Sequence, residues 1–398
     1  MATTMDLQRA WSGPALFSYG FRPFFLSAAV LAALLVAAWV PWLFGFGLLP
    51  GALPPVAWHQ HELLFGFVPA VVAGFLLTAV PNWTGRLPVV GRPLIVLYAL
   101  WIAGRLVILG SAHLHPVAVA AISLAFPLAL LATLAREILA SGNRRNLKVL
   151  AGVGMLAAAQ LVFHVEVGRQ GHALLADRLA VGATVMLVMI VGGRIVPSFT
   201  VNWLKRENPG RLPVPFGRFD MAAMVGAGAA LVLWILSAGL PALEPVAGAA
   251  MLLAGSAQAA RLMRWAGDRT LAEPLVTVLH VGFVFVPAGF ALLGAGLLIG
   301  DVPLRSAGMH AWTTGAIGLM TLAVMTRATR GHTGQELTAP PSTVVIYGLA
   351  LAAAVLRIAA SLAGPTSLPL MGLAGAAWVG AFSLFALAYG PLLVRRRE

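Results

Sequence analysis

The stretch Trp58-His59-Gln60-His61-Glu62 sets two imidazoles and a carboxylate at the mouth of an apolar run from Leu63 to Val80. An apolar run of about eighteen residues is long enough to span a bilayer. Imidazoles beside it are costly unless they face a protein interior, so they are candidates for function. Side chains two apart on a helix point ~200° apart. If both bind something, His59 and His61 therefore serve two different centres. Glu62 is the nearest protonatable group, a candidate general acid. His61-Glu62-Leu63-Leu64-Phe65 lacks the second histidine of an H-E-x-x-H zinc helix, and the chain holds no phosphate loop or Ser–His–Asp arrangement.

Other polar residues stand in apolar surroundings. His310 occupies a position that matches His61, and two neutral imidazoles facing each other across a bundle suit the axial positions of a haem iron. The alternative is a pair of interfacial histidines that solvate loops. Arg105 and Arg357 are cations inside apolar helices and need anions. Haem propionates fit, because a guanidinium grips a carboxylate through two parallel hydrogen bonds; Glu62, Glu166, Asp177 and Asp301 lie at a similar level, and snorkelling to headgroups is the alternative. His164, with Glu166 two residues on and His172 in the following loop, is a candidate copper site, although imidazole suits copper, iron and zinc alike. A hydrogen-bonded residue in a packing seam is the other reading. His280, in Val278-Leu279-His280-Val281-Gly282-Phe283, needs a partner near the inner end of its segment. It is a candidate cofactor ligand or proton carrier, with His332, Asn82 and Arg194 as possible neighbours, or else a satisfied core residue. His113 and His115 read as solvated.

These residues must be carried by membrane helices. Of 398 residues, 60% are hydrophobic and 10% charged, more apolar surface than a soluble chain could hide. The fold class expected is all-α, a polytopic membrane protein with about twelve helices. Its segments fall at roughly 24–46, 62–80, 93–110, 116–135, 149–167, 178–196, 221–239, 245–263, 275–299, 306–326, 342–362 and 370–394. Cysteine is absent, which excludes disulfides, thiolate metal sites and iron–sulfur clusters. The N-terminal stretch is polar and predicts no cleavable leader. The net charge of +13 has no basic domain to offer nucleic acid; lipids are the expected surroundings. Instead Arg and Lys gather in alternate loops: Arg86 and Arg92; Arg136, Arg144, Arg145 and Lys148; Lys205, Arg206, Arg211 and Arg218; Arg261, Arg264 and Arg269; Arg327 and Arg330; then Arg395, Arg396 and Arg397. Arg169, Arg178 and Arg305 break the pattern. By the positive-inside rule both termini are cytoplasmic, which places His59, His61, His164, His172 and His310 toward the outer face.

A repeat accompanies this pattern. Aligning Gly66 with Gly182, 116 residues on, and Gly315, 133 further on, sets His61 against Asp177 and His310. Pro81-Asn82-Trp83-Thr84 then meets Pro197-Ser198-Phe199-Thr200, and Arg105 matches Arg357. A single transmembrane domain of three four-helix units (20–140, 141–265 and 266–398) is the expectation. The Gly-rich stretch Met221–Ala230 leaves a broken-helix transporter open.

The blocks Gly20-Phe21-Arg22-Pro23-Phe24-Phe25, Trp58-His59-Gln60-His61-Glu62, Phe75 through Gly85, Gly192-Gly193-Arg194, Pro197-Ser198-Phe199-Thr200 and Thr314 through His332 resemble the NnrS family of bacterial inner-membrane proteins. The resemblance implies haem b and copper, expression with denitrification, and protection against nitric oxide. The architecture is also similar to haem-copper oxidases and nitric oxide reductases, but there the His-x-His lies on helix ten and the single histidine on helix two. Segments six and seven carry no histidine here, so that scaffold's copper site does not transfer. The expectation is nitric oxide reduction by an oxidoreductase, with electrons from an unknown donor passing through centres at His59, His61 and His310; the rival is a sensor or a haem or metal transporter.

Overall fold

A computed structural model describes residues 11–47, 49, 51–142, 146–364 and 367–396. Arg144, Arg145 and Arg397, used above for topology, lie outside them. Twelve long helices and no strand occur among the described residues. They are α1 (Phe21–Leu43), α2 (Pro55–Thr84), α3 (Arg92–Leu109), α4 (Pro116–Ala140), α5 (Leu147–Gln170), α6 (Leu175–Glu207), α7 (Arg218–Leu236), α8 (Glu244–Met263) and α9 (Pro274–Ile299). α10 joins Val302–His310, Ala311–Leu319 and Met320–Thr333; α11 is Pro341–Leu362 and α12 Ser367–Val394. Eleven are long and apolar enough to cross a membrane, all but α10. The protein is a multi-pass, all-α membrane protein.

The helices overrun the apolar segments because a polar residue does not stop a helix that has a cap. Proline in the first turn starts α2, α3, α4, α8, α9, α10 and α11, where a missing N–H costs nothing. Thus α2 starts at Pro55 and not at Glu62, and both histidines lie inside the helix. α7 runs unbroken through Met221–Ala230. Two helices do change pitch. α2 is π-helical over Glu62–Phe67 and α10 over Ala311–Leu319, each starting at the residue after a candidate histidine, His61 or His310. The repeat predicts the matching register of these histidines but not the widened turn that follows each one.

The chain forms two compact units, with boundaries inside α6, α10 and α12 and in the loop after α10. The first contains α1 to α5, α6 as far as Ala183, Val324–Glu336 and the chain from Phe382. Phe24 and Phe25 of α1 are fully buried there, and the Phe24 ring lies 5.6 Å from Phe126 and 5.8 Å from Tyr98. The buried Arg22 of the same helix donates from Nη1 to the carbonyls of Leu392 (3.2 Å), Leu393 (3.0 Å) and Arg395 (2.7 Å). It caps α12, where a cation complements the helix dipole.

The second unit contains α6 from Thr184, α7, α8, α9, α10 to Ala323, α11 and α12 to Ala381. α8 meets α9 backbone to backbone: a Cβ on Gly248 or Gly294 would stand 2.8 Å from the other's carbonyl oxygen. Small residues drive such packing where lipid removes the hydrophobic gain. Arg305, near the start of α10, is no free charge, since Nη1 and Nη2 grip Glu244 at 2.9 and 2.8 Å. Arg261, 2% exposed, donates from Nε to Asp220 Oδ1 at 3.3 Å. Asp220→Ala leaves that cation buried without its anion and is expected to cost about 3–5 kcal/mol, read as a lower unfolding midpoint in detergent. An unchanged midpoint would show that Asp220 contributes nothing to holding Arg261.

Candidate functional site

The first unit gathers four of the predicted residues. His61, at the last position before the π segment of α2, is 0% exposed. Its Nδ1 lies 2.9 Å from Glu62 Oε1, and Nε2, also buried, has no hydrogen-bond partner. A carboxylate only accepts, so Nδ1 carries the hydrogen and Nε2 the lone pair. Arg105 of α3 donates from Nη1 to the same Glu62 oxygen and from Nη2 to the Phe65 carbonyl at 3.4 Å. Trp101, one helical turn earlier, donates from Nε1 to the Gly66 carbonyl at 3.0 Å. Two side chains of α3 thus satisfy carbonyls in the widened turn. The approach needs glycine, because a Cβ on Gly66 would meet Arg105 Nη1 at 2.5 Å.

His164 of α5 completes this cluster. Its ring stands edge-on to His61 with centroids 5.3 Å apart. Phe163 and Phe65 flank His61 at 5.1 and 5.5 Å. Nε2 of His164 lies 2.7 Å from Ser123 Oγ, and the Ser123 hydroxyl donates to the Ala120 carbonyl at 3.1 Å. The residues expected beside His164 have other places. Glu166 accepts from the N–H groups of Leu175 (3.1 Å) and Ala176 (2.8 Å), capping α6, and His172 is exposed. His59 takes the other side of α2 and stacks on Trp39 at 4.4 Å, with Trp42 against Trp39 at 5.1 Å. His113 and His115 are exposed.

The second unit holds His310, Arg357 and His280. Nδ1 of His310 donates to the Ser306 carbonyl at 2.8 Å. Ser306 Oγ meets Ser361 Oγ at 3.1 Å, and Ser361 Oγ accepts from Arg357 Nη1 at 2.9 Å. Arg357 is half-buried and makes no ion pair among the described residues. His280 Nε2 donates to Thr200 Oγ1 at 2.8 Å, while Thr200 donates to the Val196 carbonyl. Its Nδ1 faces Gly267, where a Cβ would stand 2.6 Å away. That nitrogen is buried without a hydrogen-bond partner, and the ring is joined to α6 through Thr200. Of its expected neighbours, His332 and Asn82 belong to the first unit.

Among the described residues no group of three or more His, Asp or Glu side chains converges as a metal cage. A profile of the NnrS family, described as NnrS protein, matches residues 15–397. The chain belongs to the NnrS family. None of the curated proteins compared with it matches. NnrS membership makes this a membrane protein of the nitric oxide response. The match spans every residue of the cluster, His61, Glu62, Gly66, Arg105 and His164. Sequence reasoning missed Ser123, Phe163 and Trp101. Nothing in their spacing marks them, since their partners lie 41 and 35 residues away for Ser123 and Trp101.

Proposed function

We propose that this NnrS protein binds nitric oxide at a metal centre in the outer half of the bacterial inner membrane, with His61 as a ligand, and removes it by reduction. The observation that carries this reading is the buried, partnerless Nε2 of His61 with its tautomer fixed by Glu62. A carboxylate on the far ring nitrogen is what orients a metal-binding histidine and raises its basicity. An orphaned buried acceptor is otherwise costly.

The residues present fit both groups that the family resemblance implies. For haem b, His310 has its Nδ1 hydrogen fixed on Ser306, which puts the lone pair on Nε2, and Arg357 is a half-buried cation whose polar partner is a serine. His310 would hold the haem iron and Arg357 a propionate. Arg105 is already committed to Glu62. For copper, the imidazole of His61 is of the right donor type. A metal so held supplies reversible one-electron reduction and coordination of nitric oxide. The chain's own groups do the rest. Glu62 holds a proton at His61 Nδ1, Arg105 balances the Glu62 charge, and the rings of Phe65 and Phe163 exclude water.

Removal by reduction joins two nitric oxide molecules, two electrons and two protons into nitrous oxide and water; the electrons come from a donor outside this chain. The test is an anaerobic nitric oxide electrode trace of the purified protein with a chemical reductant. Continuous consumption with nitrous oxide formed at one per two nitric oxide is expected. Uptake that stops at one per centre would make the protein a sensor, and no uptake at all would end the reading. The membrane orientation is proposed on the alternate basic loops, with both termini cytoplasmic. Reporter fusions at each end test it, and a periplasmic signal from either reverses it.

A further inference from the structure

We propose that His61 and His164 together form a two-imidazole site for a monovalent copper ion, Cu(I). The proposal rests on the reading of His61 as a metal ligand and names its partner; the sequence offers His164 for copper but sets it beside Glu166 and His172.

Three features on α2, α4 and α5 support it. First, both rings present an unshared nitrogen. Glu62 takes the Nδ1 hydrogen of His61 and leaves Nε2 without a partner. The Ser123 hydroxyl donates to Ala120, so its oxygen accepts from His164 Nε2–H and the lone pair of that ring lies on Nδ1. Gln160 holds the Ser123 carbonyl at 3.2 Å, which steadies the serine.

Second, the spacing suits one ion. Metal–imidazole bonds are about 2 Å long, and a ring centre lies ~1 Å behind its nitrogen, so two imidazoles on one ion have centroids up to about 6 Å apart. Here they are 5.3 Å apart.

Third, charge and donor set select the ion. Glu62 and Arg105 neutralise each other, and both of the carboxylate's neighbours are donors. Glu62 lies on the Nδ1 side of His61, away from Nε2, so it stands behind the ligand and not beside the ion, and Phe65 and Phe163 close the flanks. A buried ion therefore keeps its own charge as the net charge of the site. Desolvation penalises a divalent cation much more than a monovalent one. Zinc and Cu(II) also require more ligands than two imidazoles offer. Cu(I), which is stable with two nitrogen ligands, matches on both counts.

The test uses full-length protein in detergent, loaded anaerobically with Cu(I) against a chromophoric bidentate Cu(I) chelator. Wild type is expected to hold one Cu(I) per chain at this site, with X-ray absorption showing two nitrogen neighbours at about 2 Å. His61→Ala and His164→Ala should each weaken binding at least ~100-fold, as loss of a ligand exceeds the 10–100-fold effect of an outer partner. Exposed His113→Ala should bind as wild type. Elution profile and thermal transition check folding; if His61→Ala fails to fold, His164→Ala decides. Wild-type affinity in folded His164→Ala overturns the site, as does no Cu(I) uptake by wild type. So does loss of one shared low-spin haem signal in both His61→Ala and His310→Ala, which would make His61 a haem ligand. Nitric oxide binding is read in the same samples. Intact Cu(I) binding without nitric oxide binding ends the functional reading and leaves the site standing, whereas nitric oxide binding with unaltered Cu(I) affinity in the variants does the reverse.

Discussion

Arg105→Leu is expected to cost about 3–5 kcal/mol of stability, the penalty for stripping one partner from a buried ion pair. The Arg105 side chain is 9% exposed and that of Glu62 5%, so neither charge reaches water if the other is removed. Sequence alone left Arg105 a choice between a haem propionate, a carboxylate such as Glu62, and the headgroups. The structure gives it a protein anion and predicts loss of fold stability. The double variant Arg105→Leu with Glu62→Gln removes both charges and is expected to regain most of the loss, since buried pairs exchange for neutral residues at little cost. Thermal unfolding of the two single variants and the double in one detergent checks this. A double variant no more stable than Arg105→Leu would show that Arg105 supports the fold through the Phe65 carbonyl or by packing, and that the ion pair contributes little.

The second large effect separates the two histidines of Trp58-His59-Gln60-His61-Glu62. His61→Ala is expected to abolish nitric oxide binding, with at least a ~100-fold loss of affinity, by the same ligand-against-partner comparison. His59→Ala is expected to keep binding within about threefold, because that ring is half-buried and stacked on Trp39, and such a ring contact is worth only ~0.5–1.5 kcal/mol. From sequence, His61 paired with His310 on one haem and His59 served a separate centre. A titration of nitric oxide into both variants, followed by optical difference spectra, decides. Loss in His59→Ala with retention in His61→Ala would restore the first assignment and remove His61 from the centre.

Helix number, approximate helix position and membrane class were legible in the order of residues, because they depend on local quantities: runs of apolar side chains, prolines and glycines at the ends, basic residues between. The opposite facing of His59 and His61 followed from helical period alone, and the family from blocks that survive as strings. Partner choice was not legible. Whether Arg105 meets a propionate or Glu62, and whether His164 turns to His172 or to His61, depends on how far each helix is rotated about its axis. That rotation is set by contacts distant in sequence, such as Gly66 admitting Arg105, Trp101 bonding the Gly66 carbonyl, and Ser123 of α4 fixing His164 of α5. Glu166 was read beside His164 because two residues separate them, but two unpaired N–H groups at the start of α6 claim it. The π-helical turns after His61 and His310 escaped notice for the same reason. A widened turn adds no residue type or spacing of its own, and the one after His61 has its carbonyls met by Arg105 and Trp101 of α3.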